Sequence, residues 1–331
     1  MRKFEQWDIE RNLYLKSFLT GERQGPPTGK PSIDKPWLIN YSDEQIASYI
    51  PSRKMYEDIL ECNKENLDSI AIEYFDKKIT YRELFENIDK TASALVQSGV
   101  KKGDIVSVSM PYLPETVYTI YALNKIGAVI NMIDPRINKK LISDYINNTN
   151  SKFIVIIDKI EKKIDSIMDE TCIEKVISVP ATNSMKNKLL SKMGSLKKSK
   201  FTKWKDFINV PYVETEVAKH NEDELAVIEY TSGTSGNPKG VMLSDDAFNA
   251  IVYFQNQTLD SKIGDKFLLI MPPFIAYGLV IGMHGMLSQG QHLIMIPNFT
   301  LDKAPKMLGK LIDKHQPNRI MGVPKHFRCL I

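Results

Sequence analysis

Alternating apolar strands and amphipathic helices along residues 55–179 restrict the fold of this chain more than any other feature of its sequence. Short runs rich in Val and Ile are each followed by a helical pattern, as in Ile105–Met110 before Pro114 and Ala128–Asp134 before Leu141. Parallel strands need a crossover between them, and a helix usually supplies it. We therefore expect an α/β fold with mostly parallel sheets flanked by helices.

Two helix starts carry local signals. Thr80 and Glu83 have the T-x-x-E spacing of a capping box, followed by an apolar stripe of helical period. Ser244 is placed as the N-cap of a later helix, and Asp245 and Asp246 follow in its first turn, where the helix dipole favours acids. We assign Asp245 a capping role on this basis.

The lapse of the pattern near residue 183 suggests how the chain is divided. We expect an N-terminal arm at 1–54, a first α/β subdomain at 55–215 and a second at 216–331. A Lys-rich insertion near 183–205 includes eight lysines and no acid between Lys186 and Lys205. Such a run would suit a nucleic acid, an anionic membrane or an acidic carrier protein, but a solvated surface insertion is the favoured interpretation.

Composition excludes several classes of protein. A net charge of +4 over 331 residues is small, which argues against a nucleic-acid-binding protein. Cys62, Cys172 and Cys329 lie far apart and lack metal-ligand spacing, so we expect reduced thiols in a cytoplasmic protein. The N-terminus shows no apolar core of signal-peptide length. None of the five histidines stands in a metal-site spacing or a visible catalytic triad, and His292, on a strand, is interpreted as a core residue.

An uncharged stretch at Phe267–Thr300 resembles a membrane span by hydropathy alone. Pro272-Pro273 interrupts its first half, and polar residues interrupt its second. A buried strand, a turn, a helix over Ala276–Ser288 and another strand fit the stretch better than one continuous apolar helix. We therefore expect no transmembrane segment here.

A loop rich in glycine and hydroxyl groups follows the apolar strand Leu225–Tyr230. Between Thr231 and Gly240 it has three glycines, four Ser or Thr residues and Lys239. Glycines let backbone N–H groups approach an anion, hydroxyls donate to phosphate oxygens, and Lys239 adds a positive charge. The implied ligand is a polyphosphate, although an ordinary surface loop of Ser and Gly remains an alternative.

The loop matches none of three common patterns. A Walker A loop needs Gly-Lys-Ser/Thr, and here Pro238 precedes Lys239. The glycine spacing excludes the Rossmann fingerprint, and Ser235 followed directly by Gly236 excludes the nucleophile elbow of hydrolases.

The stretch Tyr230–Val241, YTSGTSGNPKGV, closely resembles the phosphate-loop signature of the adenylate-forming enzymes, which include acyl-CoA synthetases, luciferases and the adenylation domains of peptide synthetases. The resemblance covers roughly residues 55–331 and is strongest to acyl-CoA synthetases. Further segments similar to that family, in its order, are Ile79–Leu95, Val100–Val117, Tyr121–Pro135, Met271–Leu279 and Arg319–Pro324.

The resemblance implies activation of a carboxylic acid by ATP and Mg²⁺ to an acyl-adenylate, followed by transfer to the thiol of coenzyme A. It assigns the triphosphate to the loop, with Thr231 and Lys239 acting in catalysis. The residues expected to bind ATP are Thr231, Ser232, Gly233, Thr234, Ser235, Gly236 and Lys239.

Met271–Leu279, MPPFIAYGL, resembles the segment that lines the family's acyl pocket. The resemblance places Ile275, Tyr277 and Gly278 at the substrate, whereas Phe274 is interpreted as core. Members of the family often carry an aromatic residue or His at the position of Ile275. An isoleucine there favours a more apolar acid.

The resemblance also implies parts that follow Ile331, namely a barrel subdomain and a small C-terminal domain. We expect the chain to be the N-terminal part of such an enzyme, with little or no activity alone and with the C-terminal domain as its partner. The alternatives are a module that loads an acyl or aminoacyl group onto a carrier protein, and a non-catalytic nucleotide-binding fragment.

Overall fold

A computed structural model describes residues 52–187, 198–231, 238–296 and 305–327, without the side chains of Thr258 and residues 305–307. The predicted N-terminal arm lies almost wholly outside these residues. So does the middle of the Lys-rich insertion.

The described strands and helices follow the alternation that the sequence predicts. The strands are β1 Ile70–Tyr74, β2 Lys77–Thr80, β3 Ile105–Ser109, β4 Val129–Met132, β5 Phe153–Ile157, β6 Lys175–Val179, β7 Thr202–Lys203, β8 Leu225–Thr231, β9 Lys239–Ser244, β10 Lys266–Leu269, β11 His292–Met295 and β12 Arg319–Met321. The helices are α1 Met55–Asn63, α2 Tyr81–Gln97, α3 Pro114–Lys125, α4 Lys139–Asn148, α5 Glu161–Asp165, α6 Trp204–Phe207, α7 Asp245–Thr258, α8 Gly285–Leu287, α9 Pro305–His315 and α10 Pro324–Phe327. Short 3₁₀ turns occupy Asp158–Ile160 and Met168–Glu170, and a π-helix over Tyr277–His284 leads into α8.

Two sheets organise the described residues. One has seven strands in the order β7-β6-β5-β3-β4-β8-β9, and the other has five in the order β12-β10-β11-β1-β2. Every pairing is parallel except β1 with β2 and β8 with β9. The predicted class, α/β with mostly parallel sheets flanked by helices, is confirmed.

The predicted boundary at residue 215 does not separate the two sheets. β8 and β9, assigned to the second subdomain, pair with strands of the first, because β8 lies beside β4. β1 and β2, assigned to the first subdomain, share a sheet with β10, β11 and β12, and Ile72 pairs with Leu293. In chain order, the strands β3 to β9 are therefore inserted between β2 and β10 of the five-stranded sheet, and they form the seven-stranded sheet. Hydrophobic periodicity identifies each strand but carries no information about its distant partner.

Local capping signals are confirmed where hydrogen bonds are resolved. Thr80 Oγ1 accepts from the Glu83 N–H at 3.2 Å, and Glu83 Oε2 accepts from the Thr80 N–H at 2.9 Å, which completes the capping box. Ser244 Oγ accepts from the Ala247 N–H at 3.2 Å and so caps α7.

Of the elements that differ from expectation, two bear on the candidate site. β9 is a strand that the sequence analysis does not predict, because most of its side chains are exposed and no buried face alternates along it. Its conformation follows from its antiparallel pairing with β8. The helix expected over Ala276–Ser288 begins as a π-helix, a form that is rare and often found at functional sites.

The core runs through both sheets and includes Trp204, the only tryptophan among the described residues, which is buried at the edge of the Lys-rich insertion. Lys200 beside it pairs with Asp165 at 2.8 Å on the surface. Among the residues that the structure describes, no helix is both long and apolar enough to cross a bilayer.

Candidate functional site

The β8–β9 hairpin holds the two ends of the glycine-rich loop together. β8 continues the parallel part of the sheet beside β4, so Thr231 lies at a carboxyl edge, where open α/β sheets usually bind ligands. Thr231 pairs with Lys239 across the hairpin, and both are exposed. The intervening residues predicted to contact ATP, Ser232, Gly233, Thr234, Ser235 and Gly236, lie outside the described residues.

Tyr230 anchors the base of this hairpin. Its hydroxyl donates to Asn131 Oδ1 of β4 at 2.9 Å. Its ring stacks on that of Tyr145 of α4, with centroids 3.6 Å apart and planes 1° from parallel. A hydrogen bond and a ring contact thus fix β8 directly before Thr231.

The predicted acyl segment lies against the same end of the sheet. Phe274 is buried, as expected of a core residue, and Arg136 stands over its ring at 5.0 Å. Ile275 is 40% exposed, and Tyr277 is half-buried at the start of the π-helix. Both line a cavity of about 690 Å³ that Thr231 also lines. The structure therefore brings the described loop end and the acyl segment together at one cavity.

Gly278 permits the tight turn between Pro272 and the π-helix. A Cβ at this position would lie 2.1 Å from the Pro272 carbonyl oxygen, which a real contact cannot tolerate. The Gly278 carbonyl accepts from the Tyr112 hydroxyl at 2.8 Å. Gly278 is buried and is not among the residues that line the cavity, so its contribution to the pocket is the close approach of two backbone segments.

Gly278→Ala is expected to lower the free energy of unfolding by about 2–3 kcal/mol, because the added methyl group forces backbone atoms apart. The measurement is the urea unfolding midpoint. Gly309→Ala is the matched control, since a Cβ there meets nothing within 4 Å, and helix propensity predicts a small gain. Equal midpoints for the two variants would contradict the described packing.

Glu229 is a site residue that the sequence analysis does not identify. It lines the cavity, yet it is only 3% exposed, and its Oε1 has no hydrogen-bond partner within the described residues. Burial raises the pKa of its carboxyl from the ordinary 4.5 to about 8. Its signal in the sequence is a single acid inside the apolar run LAVIEY.

Asp245 has a different role from the one predicted. Ser244 caps the helix, whereas the Asp245 carboxylate points into a buried polar network. It pairs with Lys54 Nζ at 3.0 Å and accepts from the Met55 N–H at 3.0 Å and from Asn124 Nδ2 at 2.6 Å. The assignment failed because its partners come from distant parts of the chain.

Buried histidines belong to structural networks away from the loop. His284 is fully buried, with Nδ1 at 3.1 Å from the Tyr121 hydroxyl and Nε2 at 3.0 Å from Asn249 Oδ1. Burial lowers its pKa, which favours the neutral ring. His292 Nε2 lies 3.1 Å from Glu73 Oε2, in agreement with a core position.

No group of three His, Cys, Asp or Glu side chains in the described parts of the chain is arranged to hold a metal ion.

Residues 60–331 match the family described as AMP-binding enzyme. Among curated relatives, the long-chain-fatty-acid–CoA ligase of Bacillus subtilis is 27% identical over 314 residues, which cover 88% of this chain and 54% of the relative. Acetyl-coenzyme A synthetase of Salmonella typhimurium is 26% identical over 320 residues, covering 89% of this chain and 49% of the relative. The chain thus spans about half the length of the curated relatives it matches.

The fold agrees with solved structures of similar chains. A crystal structure of the anthranilate CoA ligase AuaEII in complex with anthranoyl-AMP superposes with a TM-score of 0.75 at 15% identity. The match covers 86% of this chain and 52% of that one. At this identity the similarity supports the fold alone.

Proposed function

Since this chain belongs to the AMP-binding enzyme family, we propose that the protein activates a carboxylic acid with ATP and transfers the acyl group to the thiol of coenzyme A. The relatives that share about a quarter of its residues are named as CoA ligases and CoA synthetases. Because the chain spans about half of their length, acid activation and thioester formation are proposed for the whole protein. Cooperation with a C-terminal domain, and low activity of this chain without one, are part of the proposal.

The observation that carries this proposal is the pairing of Thr231 with Lys239 beside the cavity at the carboxyl edge of the sheet. An exposed hydroxyl and an exposed ammonium at the two ends of a glycine-rich loop suit a triphosphate, which is charged and partly solvated. We propose that Ser232, Gly233, Thr234, Ser235 and Gly236 add hydroxyl and backbone N–H donors between them. Donors fixed in advance would stabilise the negative charge that develops as pyrophosphate leaves.

The acid is proposed to occupy the cavity beside this loop. Ile275 and Tyr277 would contact it directly, and Gly278 would keep the π-helix close to the sheet. The described lining is largely apolar and aromatic, with Met132, Leu141, Tyr145 and Phe274 among its members. The cavity would thus exclude water from the reacting carboxyl group, which strengthens the electrostatic interactions there.

Mg²⁺ would supply charge neutralisation for the triphosphate when bound. Cys62 and Cys172 are free thiols, which supports a reducing compartment, and we propose the cytoplasm.

Lys239→Ala tests the assignment of the loop. Loss of one charge-assisted contact to phosphate is expected to weaken ATP binding about 10- to 100-fold, which corresponds to about 1.4–2.8 kcal/mol. Calorimetric titration of the chain with MgATP measures this change. Lys90→Ala, which removes an exposed lysine of α2, is the matched control and should bind ATP as the wild type does. Because Lys239 is exposed, thermal unfolding should remain unchanged, and unaltered ATP binding would refute the assignment.

A thiol competition separates coenzyme A from a carrier protein as acceptor. Thioester formation by the whole protein is compared with free coenzyme A and with a phosphopantetheinyl carrier protein. We expect coenzyme A to be the better acceptor, and a clear preference for the carrier would favour the loading module instead.

A further inference from the structure

Glu229 is a buried acid for which the described residues provide no partner. Its side chain is 3% exposed, and Oε1 makes no hydrogen bond within the described residues. A buried carboxyl without partners costs several kcal/mol, and natural proteins seldom keep one without a functional reason. Glu229 is among the residues that line the same cavity as Thr231 and Ile275, so it borders the proposed acid site.

No positively charged side chain in the described cavity lining compensates a negative charge on Glu229. None of the described residues that line the cavity is a lysine, arginine or histidine. Asp134 is the other acid of the lining, and it is paired with Arg136 at 2.8 Å. Burial raises the pKa of the Tyr112 hydroxyl, and the nearby carboxyl of Glu229 raises it further. That hydroxyl already donates a hydrogen bond to the Gly278 carbonyl. The remaining titratable groups of the lining are the phenols of Tyr145, Tyr230 and Tyr277.

A buried carboxyl that borders a cavity lined by several aromatic side chains, with no cationic side chain in the described lining, is suited to receive a cation from a ligand. Resting on the proposed acid activation, we propose that Glu229 is the counter-group for the ammonium of an amino-substituted carboxylic acid. A ligand ammonium would provide both the charge and the hydrogen-bond donors that Oε1 lacks. An unsubstituted alkyl acid would leave Glu229 unsatisfied, and the cavity would discriminate against it.

The register of β8 limits the length of such an acid. Glu229 and Thr231 lie two residues apart on one strand, so their side chains point to the same face with Cα atoms about 7 Å apart. The reacting carboxyl group belongs near Thr231, and the ammonium belongs near Glu229. The preferred substrate therefore carries its amine a few bonds from the carboxyl group.

Binding of matched acids to the chain tests the proposal without relying on catalysis. The acids are γ-aminobutyrate, γ-hydroxybutyrate and valerate, which have similar size and differ at one end, with β-alanine and δ-aminovalerate as a length series. Calorimetry in the absence of nucleotide should show γ-aminobutyrate binding at least about tenfold more tightly than valerate. In Glu229→Gln, which keeps the shape and loses the charge, the preference should fall to about threefold or less.

The number of protons released on binding provides a second measurement. A purely structural role for Glu229 would not produce such a release. Burial raises the pKa of Glu229 to about 8, so the carboxyl is mainly protonated at pH 7 before an acid binds. An ammonium beside it lowers that pKa, so γ-aminobutyrate should release close to one proton at pH 7. Titrations in buffers of different ionisation enthalpy measure this release. Valerate and γ-hydroxybutyrate should release none from Glu229, and Glu229→Gln should abolish the release.

Four results would overturn the proposal. Three of them are equal binding of γ-aminobutyrate and valerate, a preference for the amine that persists in Glu229→Gln, and binding without proton release. The fourth is equal affinity for the hydroxy and amino acids, which would exclude an ammonium as the recognised group. The proposed function is tested separately by MgATP binding, so ATP binding without any amine preference would remove this inference and leave acid activation in place.

Discussion

Asp245→Ala is expected to lower the free energy of unfolding by about 3–5 kcal/mol, because it leaves the Lys54 ammonium buried without its main partner. Lys54 is 2% exposed and Asp245 is 1% exposed. Glu224 lies 3.4 Å from Lys54 Nζ, but it also pairs with Lys102 at 3.3 Å and is partly exposed, so it offers only partial compensation. Urea unfolding of the chain at pH 7 measures the loss as a lower midpoint.

The neighbouring residue provides the control for this prediction. Asp246 follows in the same helical turn, but it is partly exposed and contacts the Asp223 N–H and His220 near the surface. Asp246→Ala should therefore cost no more than about 1 kcal/mol. The double variant Lys54→Met with Asp245→Leu should regain most of the stability, since it removes both buried charges. Equal losses for Asp245→Ala and Asp246→Ala would contradict a buried ion pair.

Glu229→Gln is expected to stabilise the protein by an amount that grows with pH. The folded-state pKa of Glu229 is about 8, against an ordinary 4.5, so the folded state holds a proton that the unfolded state has released between these values. The wild type should consequently lose stability as pH rises from 4.5 to 8. The difference between variant and wild type should increase by about 1 kcal/mol per pH unit from pH 5 to 7.5.

Urea unfolding of both proteins at several pH values in this window measures the difference. All other groups titrate in both proteins, so they cancel when the two curves are subtracted. Glu214→Gln, at an exposed position, should show no such trend. A difference between Glu229→Gln and the wild type that does not change with pH would mean that the carboxyl is solvated.

Local signals predict local structure in this chain. The Thr80–Glu83 capping box, the Ser244 cap and the apolar strands of the seven-stranded sheet all depend on residues within a few positions of one another, and the structure confirms them. The sequence does not predict β9, because its side chains are mainly exposed and show no alternation of apolar and polar residues. Its conformation depends on its pairing with β8.

The residues of the candidate site also fall into those that the sequence predicts and those that it does not. The glycine-rich loop and the acyl segment are recognisable because their residues are contiguous in the sequence. Glu229 and the Lys54–Asp245 pair are not, because what distinguishes them is the presence or absence of a partner in space. An acid within an apolar strand is a usable warning, but only the structure shows whether that acid is neutralised.

The insertion of β3 to β9 within the other sheet has a consequence for synthesis on the ribosome. The seven-stranded sheet is encoded without interruption, so it can assemble soon after β9 emerges. β1 emerges far earlier, but its parallel neighbour β11 is translated much later, as the pairing of Ile72 with Leu293 requires. The β1–β2 hairpin therefore has an unpaired apolar edge until β11 is synthesised. Such an edge can pair with the wrong strand or with another chain. The nascent chain is thus most exposed to misassembly at its earliest strands.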